Sequence, residues 1–159
     1  MKTHNLDLAK EILQSNESAA FLTSGASMRP LLRTHKDIVI ISRANHPLSI
    51  GEVPLYSKKG VSKLILHRII DIAPDGRYII LGDNTYRKEY VPQEDVVGVM
   101  TAIYRGGKYI DCKNSKAYKF MQSLGFVKYS IAESSIRQWI NTKRLRNSLI
   151  YKKIFLQKS

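Results

Sequence analysis

A serine set among small residues is the first feature of this sequence whose residue types suggest chemistry. In the segment SGASMRP (24–30), Ser27 follows Gly25 and Ala26 and stands three positions before Pro30. Small neighbours let another chain approach the hydroxyl closely, and a proline restricts the backbone beside it. A serine hydroxyl becomes a nucleophile when a base takes its proton, so the next question is which residue supplies that base.

The candidate base lies in a predicted β-hairpin. Two strand-like stretches, SKLILHRII and RYIILGD, flank the turn sequence APDGRY, in which Pro-Asp-Gly is a strong turn signal. The turn is closed if Ala73 pairs with Arg77. His67 then falls opposite Asp83, or opposite Asn84 if the loop is slightly different. Directly opposed residues have Cβ atoms about 5 Å apart, so the hairpin predicts an imidazole beside a carboxylate.

The surroundings of His67 allow two interpretations. On its own strand it shares a face with Ile65 and Ile69, and a partly buried imidazole is neutral near pH 7, as a general base must be. The alternative is a structural histidine bonded to a nearby aspartate. The segment LGDN (81–84) is also ordinary turn chemistry, because Asp and Asn side chains bond nearby backbone amides.

Short β-branched stretches dominate the middle of the chain and must position these residues. Six strand candidates are separated by turns rather than helices: DIVIISR, EVPLYS, SKLILHRII, RYIILGD, DVVGVMTAIYR and KYIDC. Residues 5–15 have the apolar spacing of a short helix. We therefore expect a mainly β fold with an antiparallel, barrel-like core, divided into an N-terminal helix (1–18), a β-rich core (19–114) and a basic helical extension (115–159).

The C-terminal extension holds most of the positive charge. The chain has a formal net charge of +13, and residues 115–159 contain ten Lys and Arg against the single acid Glu133. Apolar residues recur there at helical spacing: Ala117, Phe120, Met121 and Leu124, with Gly125 at a C-cap position, then Ala132, Ile136, Trp139 and Ile140, then residues 145–156. The pattern fits a solvated helical face, contact with an anionic membrane, or nucleic-acid binding.

Composition excludes several classes of site. Cys112 is the only cysteine, so an internal disulfide and a cysteine-based metal cluster are excluded, and the four histidines are scattered. We expect no metal and no cofactor. The sequence contains no apolar run suited to a membrane span, and no apolar stretch follows its start, so the expected compartment is the cytoplasm, with peripheral membrane contact through the basic extension. Composition leaves the oligomeric state open.

Three short motifs in order resemble those of a known family. SGASMRP, LHRI (66–69) and LGDN (81–84) together resemble the type I signal peptidases and the wider superfamily of LexA-like serine peptidases, over about residues 20–110. The resemblance implies that fold, with Ser27 as nucleophile. It also implies His67 as general base, as in the branch that uses histidine rather than lysine. Lys63 lies on the same face but does not fall on the base position.

The resemblance also assigns roles around the two central residues. It places a further acid six positions beyond Asp83, at Glu89, where the family usually has Asp. Either acid is then the one that orients the imidazole, while the other holds the loop. Gly25 and Ala26 would leave room for a substrate backbone. The Ser27 N–H would stabilise an oxyanion, and Met28 would be a buried anchor.

The function implied is a serine endopeptidase that cleaves an extended peptide or leader segment after small residues. The peptide substrate would be bound as an added strand. The chain looks like short members of the superfamily that are linked to bacterial peptide maturation. Two alternatives stay open: a non-catalytic binding or regulatory protein of the same fold, and a basic nucleic-acid-binding module.

Overall fold

Antiparallel β-strands make up most of the described chain. The computed structural model describes residues 4–44, 47–58 and 63–123. Helix α1 spans His4–Ser15, and the strands of the described residues are β1 (Ser18–Leu22), β2 (Asp37–Ser42), β3 (Pro54–Ser57), β4 (Leu64–Leu66), β5 (Arg68–Ile72), β6 (Tyr78–Leu81), β7 (Glu89–Val91), β8 (Val96–Arg105) and β9 (Lys108–Asp111). A 3₁₀ turn covers Gln93–Asp95, and residues 116–123 are helical. The predicted mainly β fold with a short N-terminal helix is confirmed.

Two sheets divide these strands. In the first sheet the hydrogen-bonded order is β1-β2-β8-β3-β4, and β9 also pairs with β8. The long strand β8 is central, because it pairs with β2 along most of its length, with β3 at its start and with β9 at its end. The second sheet has the order β5-β6-β7. Every pairing in both sheets is antiparallel, as predicted.

Two apolar clusters hold the elements together. The first joins α1, the loop between β1 and β2, the first sheet and the helical residues 116–123; its buried members include Leu13, Met28, Leu31, Ile41, Ile103 and Tyr118. The second joins the two sheets and includes Tyr56, Ile69, Tyr78, Ile80 and Val99. Each such side chain contributes about 1.5–3 kcal/mol when fully buried, and the second cluster fixes how the two sheets meet.

The stretch SKLILHRII was predicted as one strand, and that prediction is wrong. It forms β4 and β5, which belong to different sheets, with His67 as the single residue between them. The chain therefore passes from one sheet to the other at His67. The strands β1 and β7 were not among the sequence candidates, because both are short and lack a run of β-branched residues.

The predicted hairpin between β5 and β6 forms, but its register changes along the strands. Its turn closes as expected, since the Ala73 N–H donates to the Arg77 carbonyl at 2.9 Å. A β-bulge then shifts the pairing, so that Arg68 is the partner of Leu81. Continuing this register puts His67 beside Gly82, and the predicted pairing of His67 with Asp83 is wrong by one residue. A one-residue slip also reverses the face on which a side chain lies.

The C-terminal extension is described only at its start. In residues 116–123 the buried side chain is Tyr118, whereas Phe120, predicted on the apolar face, is exposed. Tyr118 is buried because it packs into the first cluster. Leu124, Gly125 and the two further predicted helices, with most of the basic residues, lie outside the described residues. Within the described ranges, no helix has the length and apolar character needed to cross a bilayer.

Candidate active site

The serine loop, residues 23–36 between β1 and β2, is anchored where it enters and leaves the sheet. Thr23 Oγ1 lies 2.9 Å from the carbonyl oxygens of both Arg33 and Asp37. The buried Asp37 carboxylate accepts hydrogen bonds from the guanidinium groups of Arg33 and Arg105. Burial opposes ionisation of Asp37, but these hydrogen bonds outweigh it and hold its pKa below the ordinary value. The ends of the loop are therefore fixed.

Inside the serine loop, the small residues are exposed and the large one is buried. Gly25 has φ of +79°, a left-handed conformation that favours glycine. Gly25 and Ala26 are exposed and Ser27 is half-buried. Met28 is buried in the first apolar cluster, the position expected of an anchor. The backbone around Ser27 is thus open on one side and packed on the other.

The serine loop docks on the turn that follows β6. The Asn84 N–H donates to the Ser27 carbonyl at 2.7 Å, and the Asn84 side-chain amide donates to the Ala26 carbonyl at 3.2 Å. The turn is itself closed by the Thr85 N–H, which donates to the Gly82 carbonyl. Two segments that are far apart in the sequence, SGASMRP and LGDN, therefore form one hydrogen-bonded unit.

Gly82 is the point where this unit contacts the imidazole. A Cβ atom on Gly82 would lie 2.8 Å from the Ser27 carbonyl oxygen and 2.9 Å from both Nε2 and Cδ2 of His67. A glycine is therefore required at this position, since real Cβ atoms do not make contacts this short. The Ser27 carbonyl oxygen and the Nε2 edge of His67 therefore both pack against Gly82.

His67 is buried and held in its neutral form. It is 8% exposed. Burial lowers the pKa of the imidazole below its ordinary value, although the charges of Glu89 and Asp83 act in the opposite direction. Ile69 belongs to the second apolar cluster and Ile65 packs against it, but the two lie on strands of different sheets rather than on one strand face as predicted. A neutral imidazole is the form that accepts a proton.

Tyr56 connects His67 to Glu89. The phenolic oxygen of Tyr56 lies 3.3 Å from His67 Nδ1, and the phenol donates to Glu89 Oε2 at 2.5 Å. The Lys58 ammonium lies 3.1 Å from the same carboxylate oxygen. Burial alone would raise the pKa of Glu89, but the hydrogen bond from Tyr56 and the charge of Lys58 hold it below the ordinary value. Burial and the bond to Glu89 raise the pKa of the Tyr56 phenol.

Asp83 has a different partner. Its carboxylate accepts two hydrogen bonds from the Arg68 guanidinium, 2.8 Å from Nε and 2.7 Å from Nη2. Arg68 Nη1 donates to the Gly51 carbonyl, and Arg68 is 1% exposed. Despite its burial, this pairing raises the pKa of Arg68. Of the two acids left open by the sequence, Glu89 is the one connected to His67, and Asp83 holds the turn through Arg68.

The backbone of Ser27 and the ring of His67 both lie beside Gly82, and within the described part of the chain the Ser27 hydroxyl and the imidazole are not hydrogen-bonded to each other. Hydrogen bonds between reacting groups are often long until substrate is bound. Lys63, near His67, contributes a charge that lowers the pKa of the imidazole. Among the described residues, no three His, Cys, Asp or Glu side chains are grouped so as to hold a metal ion.

Sequence reasoning missed Tyr56, Lys58 and the role of Arg68. Tyr56 lies on β3, whose pairing with β4 aligns Tyr56 with Ile65, two residues before His67. Diagonal neighbours of this kind are within reach of an aromatic side chain. The available signal was the turn-forming Lys-Lys-Gly stretch between EVPLYS and SKLILHRII, which suggests a second hairpin.

Comparison with known proteins gives no assignment, because no protein-family model matches the chain and no curated protein matches it significantly.

Proposed function

We propose that this chain is a serine endopeptidase in which Ser27 is the nucleophile and His67 the general base, built on the β core of the signal-peptidase-like and LexA-like serine peptidases. One observation carries the proposal: the serine loop and a buried, neutral imidazole meet at Gly82. A serine with a purely structural role in a surface turn does not require a neutral imidazole packed against the same glycine.

The proposed first step is acylation. Ser27 Oγ attacks the carbonyl carbon of the scissile peptide bond while His67 takes the hydroxyl proton. His67 then gives that proton to the leaving amine as the C–N bond breaks, which leaves an acyl-serine. Water next attacks the acyl group, His67 accepts a proton from the water, and the proton returns to Ser27 Oγ as the carboxylic acid product leaves.

The residues before Ser27 define the proposed substrate. Gly25 and Ala26 are exposed and carry little bulk, so an extended peptide backbone can lie against them. The Ser27 N–H is the donor proposed for the oxyanion of the tetrahedral intermediate. The proposed substrate is an extended peptide or leader segment with small residues near the cleavage site, as the resemblance to the signal peptidases implies.

The experiment is peptide cleavage by the purified chain. Wild type and Ser27→Ala are incubated with a library of precursor peptides, and products are identified by mass spectrometry. Ser24→Ala is the matched control, since it removes an exposed hydroxyl from the same loop, three residues away. We expect cleavage by wild type and Ser24→Ala, cleavage sites after small residues, and none by Ser27→Ala.

Two results would contradict the proposal. Equal cleavage by all three proteins would show that another site or a contaminant is responsible. Absence of cleavage by three folded proteins would favour a non-catalytic binding role for the same pocket. Circular dichroism of each variant establishes that it is folded.

A further inference from the structure

We infer that Tyr56 is a positioning residue that fixes the tautomer of His67, so that a phenol stands between the imidazole and its acid. The inference deepens the proposed peptidase function and rests on it for the use made of the tautomer. The tautomer itself follows from the geometry of Tyr56, His67 and Glu89 and is measurable without any substrate.

The argument starts from the single proton of the phenol. Tyr56 has one O–H, and its two contacts are unequal: 2.5 Å to Glu89 Oε2 and 3.3 Å to His67 Nδ1. Glu89 also has the Lys58 ammonium 3.1 Å away. A carboxylate in this position is ionised and has no proton to donate. The phenolic proton therefore lies toward Glu89.

The remaining contact then determines the protonation of the ring. Because the Tyr56 O–H points to Glu89, its oxygen lone pairs face His67, and the hydrogen bond exists only if Nδ1 carries a proton. In a neutral imidazole with Nδ1–H, the lone pair is on Nε2. Nε2 is the atom that lies against Gly82, beside the Ser27 backbone. The nitrogen that carries the lone pair is thus the one beside the serine loop.

Burial makes this arrangement rigid. Tyr56 is 0% exposed and packs in the second apolar cluster, and its ring meets the His67 ring edge-on, with centroids 6.2 Å apart. Water does not replace a hydroxyl enclosed in this way. Glu89 is the acceptor that orients Tyr56, and Tyr56 orients His67. Glu89 stands where the resembled family usually has an aspartate. Its longer side chain fits this arrangement, because the carboxylate contacts the Tyr56 phenol rather than the His67 ring.

Tyr56→Phe tests the inference, because it removes the hydroxyl and keeps the ring. The probe is the histidine ring itself, labelled with ¹⁵N and observed by long-range ¹H–¹⁵N NMR at pH 7.5. We expect His67 of the wild type to show the Nδ1–H tautomer. In Tyr56→Phe the signals should move toward the Nε2–H form, and kcat should fall about 100-fold with KM little changed.

Tyr78→Phe is the matched control. It removes another buried phenol of the same cluster, one that accepts a hydrogen bond from the Leu48 N–H at 2.7 Å. A general loss of packing would affect both variants, whereas only Tyr56→Phe should change the His67 tautomer. The wild-type spectrum tests the assignment even if Tyr56→Phe does not fold.

An Nε2–H tautomer in the wild type would overturn the inference, as would an unchanged tautomer in folded Tyr56→Phe. If the tautomer behaves as expected but neither wild type nor Ser24→Ala cleaves any peptide, the inferred role of Tyr56 stands and the peptidase proposal fails. If cleavage depends on Ser27 but Tyr56→Phe leaves the His67 tautomer unchanged, the peptidase proposal stands and the inferred role of Tyr56 fails.

Discussion

Two consecutive residues, His67 and Arg68, are both buried but are used in opposite ways. Arg68 uses three of its nitrogens in hydrogen bonds, two with Asp83 and one with Gly51. His67 has one ring nitrogen near Tyr56, while the other lies against Gly82. Neighbouring residues of an extended chain point to opposite faces. Arg68 therefore contacts Asp83 and Gly51, whereas His67 contacts Tyr56 and Gly82.

The difference shows how a buried polar group is recognised as structural or chemical. A guanidinium with all three nitrogens hydrogen-bonded to a bidentate carboxylate and a carbonyl is committed to those partners. An imidazole kept neutral, with one nitrogen beside the serine loop, is able to accept a proton. Both groups lie in the interior, so it is the hydrogen-bond partners rather than the burial that separate the two roles.

The largest expected effect falls on the histidine. His67→Gln should reduce kcat/KM for peptide cleavage by about 10⁴-fold or more, because His67 is the base proposed to take the Ser27 proton. Its thermal unfolding temperature should change by only a few degrees. Kinetics and circular dichroism together test this. Cleavage at the wild-type rate would show that His67 is not the general base and that its role is structural, like that of Arg68.

The next largest effect falls on the ion pair, and it is on stability. Asp83→Asn leaves the Arg68 guanidinium buried without a counter-charge, which should lower the free energy of unfolding by about 3–5 kcal/mol. Urea denaturation measures the change. Asp75→Asn is the control, since it breaks an exposed ion pair with Arg77 and should have little effect. Similar losses in both variants would show that the Arg68–Asp83 pair is not special.

A smaller effect is expected on the pH dependence of cleavage. The proposed mechanism requires neutral His67, and burial lowers the pKa of His67, so the rate should stay high below the ordinary histidine value of about 6.5. The Glu89 charge raises that pKa, so Glu89→Gln should move the acid limb of the pH profile to still lower pH and reduce kcat. Glu94→Gln, an exposed acid on the 3₁₀ turn, is the control. A shift to higher pH would contradict the assigned electrostatics.

The smallest effect is expected from Lys58, which is half-exposed and screened by solvent. Its charge lowers the pKa of His67, so Lys58→Met should move the acid limb slightly to higher pH, opposite in sign to Glu89→Gln. The shift should diminish in 0.5 M salt, where screening extends over only about 4 Å. The stability change should be about 1 kcal/mol or less. Shifts of the same sign in Lys58→Met and Glu89→Gln would contradict the opposite effects assigned to these two charges on the pKa of His67.

Much of the framework could be predicted from the sequence because it depends on local pattern. The spacing of apolar residues predicted α1, and the β-branched runs predicted most strands, including the hairpin closed by Ala73 and Arg77. Small residues around Ser27 predicted an open turn, and the resemblance predicted that Met28 is buried, as it is. Residue types and turn chemistry were enough to propose both Ser27 and His67.

Only the tertiary structure decided which acid serves which residue. A bulge in β5 shifts the register of the hairpin by one residue, and Asp83 forms an ion pair with Arg68 instead of lying opposite His67. The break at His67 sent β4 and β5 into different sheets, and the packing of those sheets brought Tyr56 and Glu89 to the imidazole. Neither event leaves a mark in the local sequence pattern, because a bulge and a change of sheet are set by long-range packing. The local pattern predicted most of the strands, and the packing of the two sheets decided which side chains meet at the candidate site.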